Sequence, residues 1–207
     1  MSVSSACLPA AAVVLAAGAA TRMGKLKQLL PYRGRTFLQH AIRQVLDAQF
    51  DPVIVVVGAE AKAVQAVIAK ERVHIVHNDH WRSGMGSSVS AGMKLIQEEG
   101  LDSAMAAITL ADQPLVTAEH LRAMRREVHL SGAAIVAAQY NDTLGVPAIF
   151  ARKMFGMLLT LPPEAGAKHL LRHPGLQVKA FPLPEAAMDI DTPDDLAVLL
   201  SGGAINS

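Results

Sequence analysis

A doubly wound α/β fold, with a mostly parallel sheet and helices on both faces, is what this sequence predicts, and three observations predict it. Short apolar runs alternate with longer segments of helical period along almost the whole chain. The runs are continuously apolar, as strands buried on both faces are, rather than alternating. At 207 residues, 51% hydrophobic and 18% charged, the chain can bury a full core. The expectation is one domain over residues 1–207, with its core at about 10–200.

The elements follow in order. The apolar run 10–17 opens the sheet, with Val13, Val14, Leu15 and Ala16 as its strand. Residues 36–48 read as a helix with Phe37, Ala41, Val45 and Ala48 on one face. A second strand, 53–57, leads to a helix at 60–70 carried by Val64, Val67 and Ile68. Strands at 73–76 and 104–108 flank a helix at 87–98, and each is read as buried. The helix at 117–130 opens on Thr117, three residues before His120, an N-cap without a full capping box. A fifth strand spans 133–138. The next apolar run, 146–150, contains Pro147, which suits a strand's start or an edge better than its interior. Short helices are expected at 152–159 and 165–171. A last one at 194–200 follows Thr192-Pro193, where proline suits the first helical position. Such folds bind ligands at the carboxyl ends of their strands.

Charge and cysteine content narrow the function classes. A net charge of +1 supplies no global field to recruit nucleic acid or an anionic membrane, so any anion site must be local. The single cysteine, Cys7, excludes an internal disulfide framework and a multi-cysteine zinc site, and suits a reducing compartment. Residues 8–20 imitate a signal peptide, but no Lys or Arg precedes them and they are too short to span a bilayer. A cytoplasmic protein is expected. The eight histidines show no ligand spacing paired with a glutamate on a helix.

Four stretches carry candidate chemistry. After the first strand comes Leu15-Ala16-Ala17-Gly18, followed by Arg22 and Lys27. A loop of glycine and alanine lets backbone N–H groups approach a ligand closely, and the cations beyond it balance a polyanion. The loop is neither GxxxxGK[ST] nor GxGxxG, and spacing alone leaves open a plain strand-to-helix turn. Leu110-Ala111-Asp112-Gln113-Pro114 places a carboxylate where a strand ends. Asp112 there can ligate a hard divalent cation or cap the turn before Pro114. Asp189-Ile190-Asp191-Thr192-Pro193 offers a second pair of carboxylates, of which Asp191 can share that metal or cap the last helix. The turn from Trp81 to Ser88 is small and polar, with Asn78 on the same rim. There Ser87 or Ser88 can bond a heterocycle edge or cap the helix.

Taken in order with Gly24, Leu30-Pro31 and Met85, these stretches resemble the MobA-like nucleotidyltransferases over roughly residues 10–200. The most similar branch is the one containing molybdenum cofactor cytidylyltransferase. The resemblance implies a Rossmann-like sheet of the nucleotide-diphospho-sugar transferase type. It also implies transfer of CMP from CTP to the terminal phosphate of molybdopterin, with release of pyrophosphate. By that resemblance Leu15, Ala16, Ala17, Gly18 and Arg22 hold the triphosphate, Lys27 sits against the phosphates, and Asn78, Gly84 and Ser88 line base and ribose. Asp112 binds Mg²⁺, or Mn²⁺ in its place, with Asp191 as second ligand, and Arg22, Lys27 and Asp112 serve catalysis. The implied partners are CTP, the molybdenum cofactor, and a molybdoenzyme or its maturation chaperone. Two departures bear on the acceptor: Glu164 and Lys168 stand in a stretch where relatives often read Gly-Asp-x-Gly-Ala-Arg, and Val146 stands where they often carry His. Alternatives are GTP or another phosphorylated acceptor, or a non-catalytic cofactor-delivery protein.

Overall fold

The protein is seen here in a computed structural model that describes residues 8–19, 26–188, 190 and 193–201. In chain order the strands are β1 (Ala10–Ala16), the short pair β2 (Pro31–Tyr32) and β3 (Arg35–Thr36), β4 (Val53–Val57) and β5 (His74–His77). They continue with β6 (Met105–Leu110), β7 (Ile135–Tyr140), β8 (Thr143–Ala151) and β9 (Val178–Pro182). The helices are α1 (Phe37–Asp47), α2 (Ala61–Ile68), α3 (Met85–Glu98), α4 (Ala118–Ser131), α5 (Phe155–Leu159), α6 (Lys168–Leu171) and α7 (Pro193–Leu200). Seven strands form one sheet in the order β5-β4-β1-β6-β8-β7-β9, parallel except for β8, while β2 and β3 pair separately.

The unbroken apolarity of β1 has a direct cause. Successive side chains of a strand point to opposite faces. Ala10, Ala12, Val14 and Ala16 enter one core with Leu38, Ile42 and Val45 of α1 and Leu121, Met124 and Val128 of α4. Ala11, Val13 and Leu15 enter the other with Val89, Met93 and Ile96 of α3. Every residue of β1 is buried. β1 pairs with β4 from Ala12↔Val53 to Ala16↔Val57 and with β6 from Ala10↔Met105 to Leu15↔Leu110. Its carboxyl end therefore lies level with both neighbours, where the strand order reverses.

Several expectations need correction. β5 is not a buried strand. It pairs only with β4, as a sheet edge, and His74, Ile75 and His77 are exposed. His120 does complete a capping box, because its Nδ1 accepts from Thr117 N–H while the Thr117 hydroxyl accepts from His120 N–H, both at 3.3 Å. Pro147 lies within β8, between β6 and β7, rather than at an edge or a start. It is accommodated where the β7–β8 register jumps from Ala137↔Ala148 to Ala138↔Gly145, an irregularity that removes Pro147 from the ladder. β9 and the β2–β3 pair are further elements. The helix expected at 165–171 is shorter, running only from Lys168 to Leu171.

Helix α3 packs its Gly92 directly against the sheet. A Cβ at that position would stand 2.5 Å from Val13 Cγ1 and 3.1 Å from Val56 Cγ2. Both contacts are stiff β-branched side chains in a filled core. Gly92→Ala is therefore expected to lower stability by about 1–3 kcal/mol, overriding the helix-propensity gain of up to about 1 kcal/mol. The urea midpoint should fall with an unchanged slope; a raised midpoint would contradict this packing.

Candidate functional site

At the carboxyl end of β1 and the start of the loop beyond it, the carbonyl groups of residues 15–18 are all engaged. Ala111 N–H donates to Leu15 O at 3.2 Å, and Ala59 N–H donates to Ala17 O at 3.2 Å. The Gln28 side-chain amide donates to Ala16 O and to Gly18 O, each at 3.2 Å. These four oxygens are the groups that would repel an anion here, and each is held by a donor of the protein. Gln28 is buried and stands directly before Leu29-Leu30, beside Lys27.

An open cleft of about 300 Å³ lies at this end of the sheet, a volume in the range of small-molecule sites. Leu15, Ala16, Ala17, Gly18, Lys27, Gly84, Ser88 and Asp112 all line it, so eight of the residues named from the sequence are brought together. Ala19, Gln28, Trp81, Met85, Leu110 and Ala111 line it too and were not named as site residues. Arg22, Asp189 and Asp191 lie outside the described residues.

Asn78 lies behind the cleft wall rather than among the lining residues. It is buried, and its Nδ2 donates to Ser87 Oγ and Ser88 Oγ, each at 2.9 Å. Its Oδ1 accepts from His80 N–H at 3.0 Å. The Ser87 hydroxyl is in turn bonded to Gly84 O at 2.7 Å and His80 O at 2.9 Å. Neither serine caps α3, whose N-cap is Gly84 with φ +123°, a value that favours glycine. Close packing matters here as well. A Cβ on Gly84 would lie 2.5 Å from Pro163 O, and one on Gly86 would lie 2.1 Å from Pro162 O. The stretch 162–166 thus docks on the start of α3, with Ser87 N–H donating to Pro163 O at 3.3 Å. Glu164 and Lys168, the residues that depart from the family pattern, are exposed on and just after this docked stretch.

Asp112 stands on the turn after β6, and this turn is held from both sides. The buried Gln113 amide donates to Val146 O at 3.0 Å and to Ala186 O at 2.8 Å. Val146 O also accepts from the Tyr140 hydroxyl at 3.3 Å, while the Val146 side chain is buried in the core. From the other side His40 Nε2 donates to Pro114 O at 3.1 Å, the carbonyl fixing which ring nitrogen bears the proton. Burial pushes the half-buried imidazole below its ordinary value of 6.5. The bond to Pro114 opposes that shift, and the nearby Arg33 and Arg35 charges reinforce it.

A hard oxygen donor such as a carboxylate suits a magnesium-like ion, which takes one or two carboxylates and completes its shell with water and ligand phosphates. Asp112 is such a donor. Among the described residues no group of three or more His, Cys, Asp or Glu side chains is placed to enclose a metal ion.

Residues 12–179 match the family model of the MobA-like NTP transferase domain. The chain belongs to that family. Relatives of this MobA-like NTP transferase include nicotine blue oxidoreductase of Paenarthrobacter nicotinovorans, 34% identical over 91% of this chain and 95% of that protein. Purine catabolism protein PucB of Bacillus subtilis is 28% identical, over 88% of this chain and 92% of PucB. Molybdenum cofactor cytidylyltransferase of Escherichia coli is 26% identical, over 88% and 91% of the two chains. Among solved structures, Rv0371c of Mycobacterium tuberculosis superposes with a TM-score of 0.78 at 30% identity, over 93% of this chain and 98% of that one. The same protein has been solved in complex with manganese. Among the described residues of this chain, no helix is long and apolar enough to cross a membrane.

His40 gives the pH prediction. A group whose folded pKa is depressed costs stability as pH falls below its unfolded value, because the unfolded chain takes up the proton first. The melting temperature of the wild type relative to His40→Gln should hold steady above pH 6.5 and fall as pH drops from 6.5 toward 5. A difference that stays constant from pH 8 to pH 5, or moves the other way, would contradict the buried neutral imidazole.

Proposed function

We propose that this MobA-like NTP transferase moves CMP from CTP to the terminal phosphate of molybdopterin and releases pyrophosphate. The observation that carries the nucleotidyl-transfer part is the single cleft shared by Leu15–Gly18, Lys27, Ser88 and Asp112. The CTP and molybdopterin assignments are supported by the motif resemblance and by the Escherichia coli cytidylyltransferase relative. A cytoplasmic place, and delivery to a molybdoenzyme or its chaperone, belong to the same reading.

In this reading an acceptor phosphate oxygen forms a bond to the α-phosphorus of CTP, the α–β bridging P–O bond breaks, and its electron pair leaves on pyrophosphate. Two polyanions must be held together, so the protein's work is chiefly positioning and charge balance. The loop 15–18 accepts the triphosphate, with its own carbonyl oxygens turned to internal donors. Lys27 and Arg22 balance the charge that gathers on the leaving group. Ser88, backed by Asn78, and Gly84 border base and ribose. Asp112, with Asp191, would hold Mg²⁺ or Mn²⁺. When bound, that ion supplies positive charge to the nucleotide oxygens.

A second reading is favoured by one observation, the 34% identity with a protein named an oxidoreductase. In it the same cleft serves a reaction without nucleotidyl transfer. A non-catalytic delivery role explains Asp112 less well, because delivery needs no metal-bound triphosphate.

One experiment separates them. Melting temperatures are compared with CTP, GTP, ATP and UTP in Mg²⁺ or Mn²⁺, and pyrophosphate release is measured for wild type and Asp112→Asn. A ligand at 100 times its Kd adds about 2.7 kcal/mol to stability, so the preferred nucleotide should raise the melting temperature measurably. Asp112→Asn should cut pyrophosphate release about 10²- to 10³-fold. Equal shifts for all four nucleotides would remove the CTP preference, and wild-type turnover in the variant would remove the role of Asp112.

A further inference from the structure

Trp81 is the chain's only tryptophan, it lines the cleft, and the reaction described above gives it no task. It is partly exposed and belongs to neither core face. The fold nevertheless holds it firmly. Gly58 clears the space for it, since a Cβ at Gly58 would lie 2.7 Å from both Cβ and Cγ of Trp81 and 3.0 Å from Ala17 Cβ. Its backbone is pinned on both sides, with Trp81 N–H donating to Asn78 O and Gly84 N–H donating to Trp81 O, each at 3.3 Å. The Arg82 guanidinium sits over the indole, 4.5 Å from the ring centroid. Met85 adds an apolar surface to the same cleft.

A large aromatic side chain held rigid at the wall of a cleft, rather than buried in a core, offers a π-face to a ligand. The cleft also has a cationic and acidic part at Lys27 and Asp112. We propose that Trp81 is a stacking surface for a planar heteroaromatic ring, so that the cleft takes a ligand with an anionic end at Lys27 and a flat ring against the indole. Two sources share that chemistry, the nucleobase of the triphosphate and a flat heterocycle on the acceptor. The anionic part of this inference rests on the nucleotidyl-transfer reading; the ring part stands on Trp81 itself.

The single tryptophan makes the test direct, because its emission reports this wall alone. Wild-type protein is titrated in Mg²⁺ or Mn²⁺ with CTP, cytidine, an unphosphorylated pterin and inorganic tripolyphosphate. The same ligands are followed by calorimetry with Trp81→Phe and Trp81→Leu, whose melting temperatures report folding. Ring-bearing ligands should change the emission and tripolyphosphate should not. Trp81→Leu should weaken them about tenfold, Trp81→Phe much less, and neither should alter tripolyphosphate affinity. A response to cytidine assigns the surface to the nucleobase, and a response to the pterin assigns it to the acceptor. Binding of CTP with emission unchanged by CTP, cytidine and the pterin alike, or affinities for every ring-bearing ligand that are equal in Trp81→Leu and wild type, would overturn the stacking surface and leave nucleotidyl transfer standing. If a ring-bearing ligand without phosphate responds while CTP and tripolyphosphate do not bind, the stacking surface stands and nucleotidyl transfer falls. Binding by none of the four overturns both.

Discussion

The candidate site depends on what happens to four backbone oxygens. Where β1 ends, the carbonyls of Leu15, Ala16, Ala17 and Gly18 are taken up by Ala111 N–H, Gln28, Ala59 N–H and Gln28 again. A loop with free carbonyls would meet a phosphate with like partial charge. With these oxygens tied down, and with no side chain larger than a methyl at 16–18, the proposed triphosphate would meet the loop's backbone at close range. Two of the four bonds come from residues just after β6 and β4, the strands in register on either side of β1, and the other two from the buried Gln28. Alanine and valine across β1, β4 and β6 let the sheet and both helix layers close tightly enough to hold that register.

The other walls are made rigid by the same means, polar side chains turned inward and glycine where backbones meet. Asn78 ties the end of β5 to the first turn of α3, and Gly84 and Gly86 let the stretch 162–166 sit on that turn. Gln113 links the Asp112 turn to Val146 and to Ala186, and His40 links it to α1. A phosphate-bearing ligand would thus meet groups from several chain segments, each braced by an element outside the cleft. This bracing also joins the Asp112 turn, through Val146, to the irregular part of β8.

The sequence made the central strands legible because burial on both faces leaves an unbroken apolar signature, as in β1 and β4. It was weaker at the sheet edges. β5 was found as a strand but read as buried, although its histidines face solvent, and β9, which mixes Lys179 and Pro182 with its apolar residues, carries no such signature and was missed. Pro147 was misplaced because a register irregularity is set by the partner strand and cannot be seen locally. Eight named site residues converge because motifs at strand ends must share one rim of such a sheet. Gln28, Gln113 and Trp81 stood inside the motif stretches but were given no role of their own, for a different reason. Their importance lies in what they touch across 10 or more residues, and an amide beside apolar residues or an indole in a polar turn looks like ordinary filler. Asn78 was placed on the right rim, but its side chain supports the wall behind the cleft.

The most direct measurement is a crystal structure with Mn²⁺ and a CTP analogue whose α–β bridge cannot be cleaved, using anomalous scattering to locate the metal. The account predicts manganese bound by the Asp112 carboxylate and the triphosphate lying along residues 15–18 with Lys27 beside it. A fully occupied nucleotide elsewhere on the molecule, with residues 15–18 and Asp112 touching neither metal nor phosphate, would contradict it.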